Sequence, residues 1–165
     1  MHRNHKGHDD THYTNNTGRN DIVGAKVARD KDNLYFYVET ADKLTPSTDR
    51  NWMMLLIDVD RDKATGWNGY DLIVNRVSPH DGLVVIEKNV GNRWEWEKAG
   101  ESRFAVNGNS LEFAVTKALM GLSGNGVDIE FKWNDNMQDN GNIMDFYVNG
   151  DTAPGGRFNY VYTAK

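Results

Sequence analysis

Apolar residues recur at every second position in short runs, and glycine, asparagine or aspartate ends nearly every run. Side chains that alternate in this way can bury one face only on a strand, and no helical pattern lasts three turns. The chain is therefore expected to be all-β. Leu34, Phe36 and Val38 alternate with Tyr35, Tyr37 and Glu39, and Val127, Ile129, Phe131 and Trp133 alternate with Asp128, Glu130 and Lys132. Phe104 and Val106 precede an Asn107-Gly108-Asn109 turn, and Leu111, Phe113 and Val115 follow it, which is a hairpin signal.

Further strands are expected at Ala25–Ala28, Trp52–Val59, Tyr70–Val77, Leu83–Lys88, Arg93–Lys98, Met144–Val148 and Phe158–Tyr162, with one helical turn at Thr116–Leu122. About ten strands with turns every 8–12 residues predict a two-sheet antiparallel β-sandwich of jelly-roll kind. No repeat, linker or shift in composition divides the 165 residues, so they read as one domain with a polar N-terminal segment over residues 1–19.

Composition removes several functions. A net charge of -5, with acidic residues between most basic ones, does not suit a nucleic-acid surface. No apolar run approaches a membrane span. The absence of cysteine removes disulfides and thiolate metal sites. The polar N-terminus lacks the apolar core of a signal peptide, so an export signal is expected on a portion preceding Met1.

The most informative stretch runs from Leu56 to Asp71, where an apolar strand enters an acidic turn. Asp58, Asp60 and Asp62 at alternate positions, with Asp71 further on, could supply oxygen ligands to a hard cation such as calcium. The spacing is not that of an EF-hand, because the twelfth loop position is not acidic and Gly66 comes too late. The simpler alternative is a turn whose aspartates cap backbone amides.

The passages Asn51-Trp52-Met53-Met54-Leu55-Leu56-Ile57-Asp58, Thr65-Gly66-Trp67-Asn68-Gly69-Tyr70-Asp71 and Val74-Asn75-Arg76 together resemble carbohydrate-binding module family 9 and its DOMON-like relatives. Ala25–Asp30 with Asn33–Val38, Phe131–Asp135, and Asn149-Gly150-Asp151 with Phe158-Asn159-Tyr160 extend the resemblance over most of the chain from about Asn20. It implies a β-sandwich, bound calcium, and an aromatic and polar sugar site, in a domain joined to a secreted glycan-degrading enzyme. The family's paired sugar-binding tryptophans have no counterparts here. The loop at Asp42–Asn51 has no aromatic before Trp52, and Asn149–Arg157 has none.

Sugars are held by flat aromatic faces and fans of hydrogen bonds, which makes each tryptophan a candidate for that use. Trp94 and Trp96 share a face opposite Arg93, Glu95 and Glu97, which points to the core, and Trp133 has the same pattern. Trp52 opens a strand that is apolar on both faces, so core and rim are both open to it. Trp67 lies between glycines in a polar turn and is the first choice for sugar contact, the alternative being a ring closed over the acidic turn. Tyr70, Asn75 and Arg76 complete the expected ligand set. Asn75 and Arg76 point to opposite faces, and the resemblance favours Asn75.

His2, His5, His8 and His12 with Asp9 and Asp10 form an N-terminal cluster that reads first as the frayed start of the domain and second as a metal site. Asn15-Asn16-Thr17 fits the glycosylation pattern. No serine or histidine arrangement suggests a nucleophile with its base, and no carboxylate pair stands out for glycoside hydrolysis. Met53 and Met54 are the haem ligands that a DOMON relative would offer, although strand methionines commonly fill cores. The expected function is a non-catalytic polysaccharide- or oligosaccharide-binding module. It would be calcium-stabilised, would act outside a bacterial cell, and would be covalently joined to a catalytic or surface domain. A ligand-free structural spacer is the alternative.

Overall fold

The structure is a computed structural model and describes residues 17–165. The N-terminal histidine cluster, and Asn15 and Asn16 of the glycosylation pattern, lie outside the described residues.

Strands account for 47% of the structure and helix for 3%, so the all-β class holds. The strands are β1 (Ile22–Arg29), β2 (Asn33–Thr40), β3 (Met54–Asp58), β4 (Leu72–Val74), β5 (Leu83–Asn89), β6 (Trp96–Asn107), β7 (Ser110–Thr116), β8 (Val127–Asp135), β9 (Asp151–Ala153) and β10 (Tyr160–Ala164). They follow one antiparallel path, β1-β2-β7-β6-β5-β4-β3-β8-β10, and β9 pairs with β8 off that path.

The path does not part into two separate sheets, because β6 belongs to both halves. Its first two-thirds pair with β5 through Leu83↔Arg103, and Phe104 to Asn107 then pair with β7. A bulge opposite Ile86 and Glu87 adds a residue on β6 and helps the strand turn that corner. The ends of the path are brought close together, so the sheet is nearly closed into a barrel. The Ile22 amide donates to Asp151 Oδ2 at 2.6 Å, and Arg29 donates to the carbonyls of Asn125 and Lys165.

Alternation gives the main core its contents. Leu34, Phe36 and Val38 of β2, Leu111, Phe113 and Val115 of β7, and Val127, Ile129, Phe131 and Trp133 of β8 are all buried in one cluster. Rings lock the layers together across it, with Phe36 edge-on to Phe131 at 5.3 Å and Phe113 beside Trp133 at 5.1 Å. Contacts of this kind add roughly 0.5–1.5 kcal/mol each beyond the area they bury.

Strand β3 is buried on both faces, and this creates a second core. Leu55 and Ile57 face the main cluster, while Met54 and Leu56, with Ile73 of β4, face outward under Trp67, Tyr70, Met137 and Phe146. Two expectations fail in the segments nearby. Met144–Val148 is not a strand: Asp145–Val148 forms the short helix α1, which turns Asp145 and Phe146 inward to the second core, and an alternating apolar pattern cannot reveal that choice. Thr116–Leu122 is not a regular helix but a hydrogen-bonded turn closed by Leu122 N–H to the Lys117 carbonyl at 2.9 Å.

Candidate functional site

The segment from Asp58 to Asp71 is organised by its own side chains. Asp58, fully buried at the end of β3, accepts the Arg61 amide on Oδ1 at 2.6 Å and the Lys63 ammonium on Oδ2 at 2.6 Å. Lys63 also reaches Glu130 Oε2 at 2.5 Å, so one ammonium bridges the turn to β8. Asp60 caps the Asp62 amide at 2.9 Å and accepts from the Thr65 hydroxyl at 3.2 Å. Asp71 accepts the Val59 amide at 2.9 Å.

Asp58, Asp60 and Asp71 each place an oxygen within 4.8 Å of the others. Asp62, expected in the same set, falls outside it, because its carboxylate is turned onto the Ala64 amide at 2.8 Å. Burial raises the Asp71 carboxyl above its usual range, and the charges of Asp60 and Asp58 raise it further. A cation among the three would relieve that repulsion. Two oxygens of Asp58 are already engaged, so such an ion would compete with Lys63 for Oδ2.

After the acidic turn the chain reverses at Trp67-Asn68-Gly69-Tyr70. Backbone bonds join Trp67 and Tyr70 in both directions, at 2.9 and 3.0 Å, across two residues with positive φ, as a tight hairpin requires. Gly66 lets the strands close, since a Cβ there would sit 2.2 Å from the Tyr70 carbonyl oxygen. The result buries Trp67 to 4% exposure, with its ring 4.5 Å from Trp94 and 5.9 Å from Phe146. The expectation that Trp67 stands free for sugar stacking is therefore corrected: the ring is a wall of the second core. Trp94 and Trp96 pack on the same cluster and remain half-buried.

The other expected ligand residues are dispersed. Trp52 lies in the main core edge-on to Phe104. Asn75 is buried and donates to the Trp52 carbonyl at 2.7 Å, so its amide holds the backbone before β3 in place. Arg76 makes a two-pronged ion pair with Glu87 of β5. None of these three lines the cleft described next, and only Tyr70 of the expected set does. Met53 and Met54 are both fully buried, one in each core, where they fill space.

The cleft has a volume of about 310 Å³, at the small end of ligand sites. It lies beside the acidic turn, and its walls come from Lys63, Asn68 and Tyr70 on one side and from Lys132, Phe146, Tyr147, Arg157 and Asn159 on the other. A fixed relay crosses it: the Tyr70 hydroxyl donates to Asn159 Oδ1 at 2.7 Å, and Asn159 Nδ2 donates to Glu130 Oε2 at 2.9 Å.

Lys132 is the least expected member. By alternation it belongs to the wet face of β8 with Asp128 and Glu130, yet it is only 1% exposed. Its ammonium donates to the Pro154 carbonyl at 2.5 Å and lies 5.5 Å from the centre of the Phe146 ring. Burial pushes its pKa down from 10.5 to about 7. Lys132, Phe146, Tyr147 and Arg157 were not singled out in the sequence. The only signal for Lys132 was its place in β8, and that signal pointed to solvent.

Compared with family models, with curated proteins and with solved structures, the chain matches none.

Proposed function

We propose that this chain is a non-catalytic carbohydrate-binding domain whose ligand lies in the cleft between the acidic turn and α1. The observation that carries this proposal is the lining. Aromatic surface from Phe146 and Tyr147 stands beside fixed hydrogen-bonding groups from Tyr70, Asn68 and Asn159, in a recess sized for a small ligand. Sugar rings offer apolar C–H faces and hydroxyl edges, and both kinds of wall are needed to hold them. The curled sheet is taken as a variant of the jelly-roll-like sandwich. The domain would work outside a bacterial cell, tethering a catalytic or surface domain to its polysaccharide.

A glycan array with the purified protein tests this proposal. Binding to at least one plant, algal, fungal or host glycan is expected, with no new reducing ends on incubation. Silence across all of them would replace it with the structural spacer, a reading favoured by the burial of Trp67.

The proposal includes a calcium ion at Asp58, Asp60 and Asp71, with water completing its oxygen shell. At a free calcium concentration ten times Kd, a folded-state site adds about 1.4 kcal/mol, or a few degrees in melting temperature. Melting in calcium and in chelator should show that gap, and Asp60→Asn should shrink it. An equal midpoint in both conditions withdraws the metal and leaves the turn as a network of caps.

A further inference from the structure

The charges in the cleft point to one class of sugar. Three cationic side chains line it, from Lys63, Lys132 and Arg157, and no carboxylate side chain does. Lys63 is neutralised by Asp58 and Glu130. Neither Lys132 nor Arg157 forms an ion pair with a carboxylate among the described residues. The cleft therefore holds two basic side chains without a carboxylate partner, the exposed Arg157 and the buried Lys132, on a chain whose net charge is -5.

Lys132 sharpens this contrast. An ammonium has three donors, and only the bond to Pro154 occupies one of them. A buried cation without a counter-charge is destabilising, and such groups cluster at functional sites. Residues elsewhere on the same strand show the ordinary solution: Asp128 and Glu130, on the same face of β8, are each matched by Arg61 or Lys63. At Lys132, where α1 and the segment around Pro154 cover the strand, a carbonyl and the Phe146 ring face the charge and no carboxylate does.

Beside the cations stand the Tyr70–Asn159 relay, Asn68, and the apolar surfaces of Ile143 and Phe146. A ligand that suits all of these carries a carboxylate, hydroxyls and a C–H face on one ring. We infer that the cleft takes a uronic acid residue of an acidic polysaccharide, its carboxylate facing Lys132 Nζ and the Arg157 guanidinium, its hydroxyls facing Tyr70, Asn68 and Asn159. This inference rests on the carbohydrate-binding proposal and adds the charge of the ligand to it.

The experiment is calorimetric titration of the whole chain with oligogalacturonate and oligoglucuronate. The comparisons are the same oligosaccharides with their carboxyl groups reduced to alcohols, and acetate and inorganic phosphate alone. The uronate oligomers are expected to bind at least tenfold more tightly than their reduced forms, and more tightly than either small anion. Lys132→Met should abolish the preference for the acid. Arg157→Gln, at an exposed position where the fold is not at stake, should reduce it several-fold.

Equal binding of acidic and reduced oligomers overturns the inference and leaves carbohydrate binding standing. So does a preference for the acid that survives in Lys132→Met. If acetate or phosphate binds as tightly as the uronates, the cleft recognises charge alone and the inference is lost. If none of these oligosaccharides binds, the inference falls, and the glycan array alone decides whether the carbohydrate proposal falls with it.

Discussion

Lys132→Met is expected to stabilise the protein by about 3 kcal/mol at pH 6, the reverse of the usual effect of a buried substitution. The cause is the ammonium under α1, which burial holds at a pKa of about 7 against 10.5 in its ordinary state. Below pH 7 the amine is charged in both folded and unfolded chains, and folding bears the whole cost of burying it. Above about 10.5 it is neutral in both, and that cost is gone. Between those values the unfolded chain binds more protons than the folded one, so wild-type stability rises with pH.

Methionine is one atom shorter than lysine but fills nearly the same volume without the charge, at the loss of the bond to Pro154. The gain should therefore be greatest below pH 7 and decline steadily through the window from 7 to 10.5. Urea denaturation of both proteins at pH 6, 8 and 10 measures it. A variant that is no more stable than wild type at pH 6 would mean that water or a counter-ion already solvates the amine.

Asp135→Ala should act in the opposite direction, lowering stability by about 3–5 kcal/mol. Asp135 ends β8 fully buried and collects donors from two separate segments, Arg19-Asn20 and Met53. Its Oδ1 accepts the Met53 amide and Asn20 Nδ2, each at 3.0 Å, and its Oδ2 lies 3.1 Å from Arg19 Nε. Burial pushes this carboxyl upward, and the donors pull it back down.

Met53 has a φ of 41°, a left-handed backbone that a methionine does not choose, and the carboxylate holds its amide in place. Alanine would leave that amide buried without a partner, the Asn20 side chain with Thr45 alone and Arg19 without its carboxylate. The expected signature is a lower urea midpoint with an unchanged m-value. Asp135→Asn, which keeps an acceptor for Met53 but turns an amide toward Arg19, should lose less. A loss under 1 kcal/mol for alanine would show that these two segments and β8 are held together by packing alone.

These two residues mark where the sequence could and could not be read. The alternation in β2, β7 and β8 was legible because each strand has one face on the main core, and period-two burial leaves an unmistakable trace. The same logic misplaced Lys132. Its face of β8 is wet at Asp128 and dry four residues later, where distant chain covers it, and local pattern carries no word of such cover.

Trp67 illustrates the same limit. Its polar, glycine-flanked turn suggested exposure, but Met54, Leu56 and Ile73 presented a second apolar face that needed a lid. The sequence did show that β3 was apolar on both sides, which is the one clue that a second core existed. The acidic turn was legible as a cluster, since clustering follows from spacing. Which aspartates converge does not follow from it, and Asp62 was lost to an amide that only the folded turn presents.

The long strand β6, shared between the two halves of the sheet, has a consequence for the order of events as the chain folds. Strands β1, β2, β7 and the end of β6 can pair once residue 116 has formed, but β3 finds its second neighbour only when β8 arrives, some seventy residues after β3 itself. Pairing across such separations pays for loop closure before any contact rewards it, so folding should be slow, on the millisecond-to-second scale of β-rich domains. Until β10 adds to β8, the barrel-like path also has an open edge beside β8. An unfinished chain would present that edge of β8 to its neighbours until the five-residue strand β10 pairs along it.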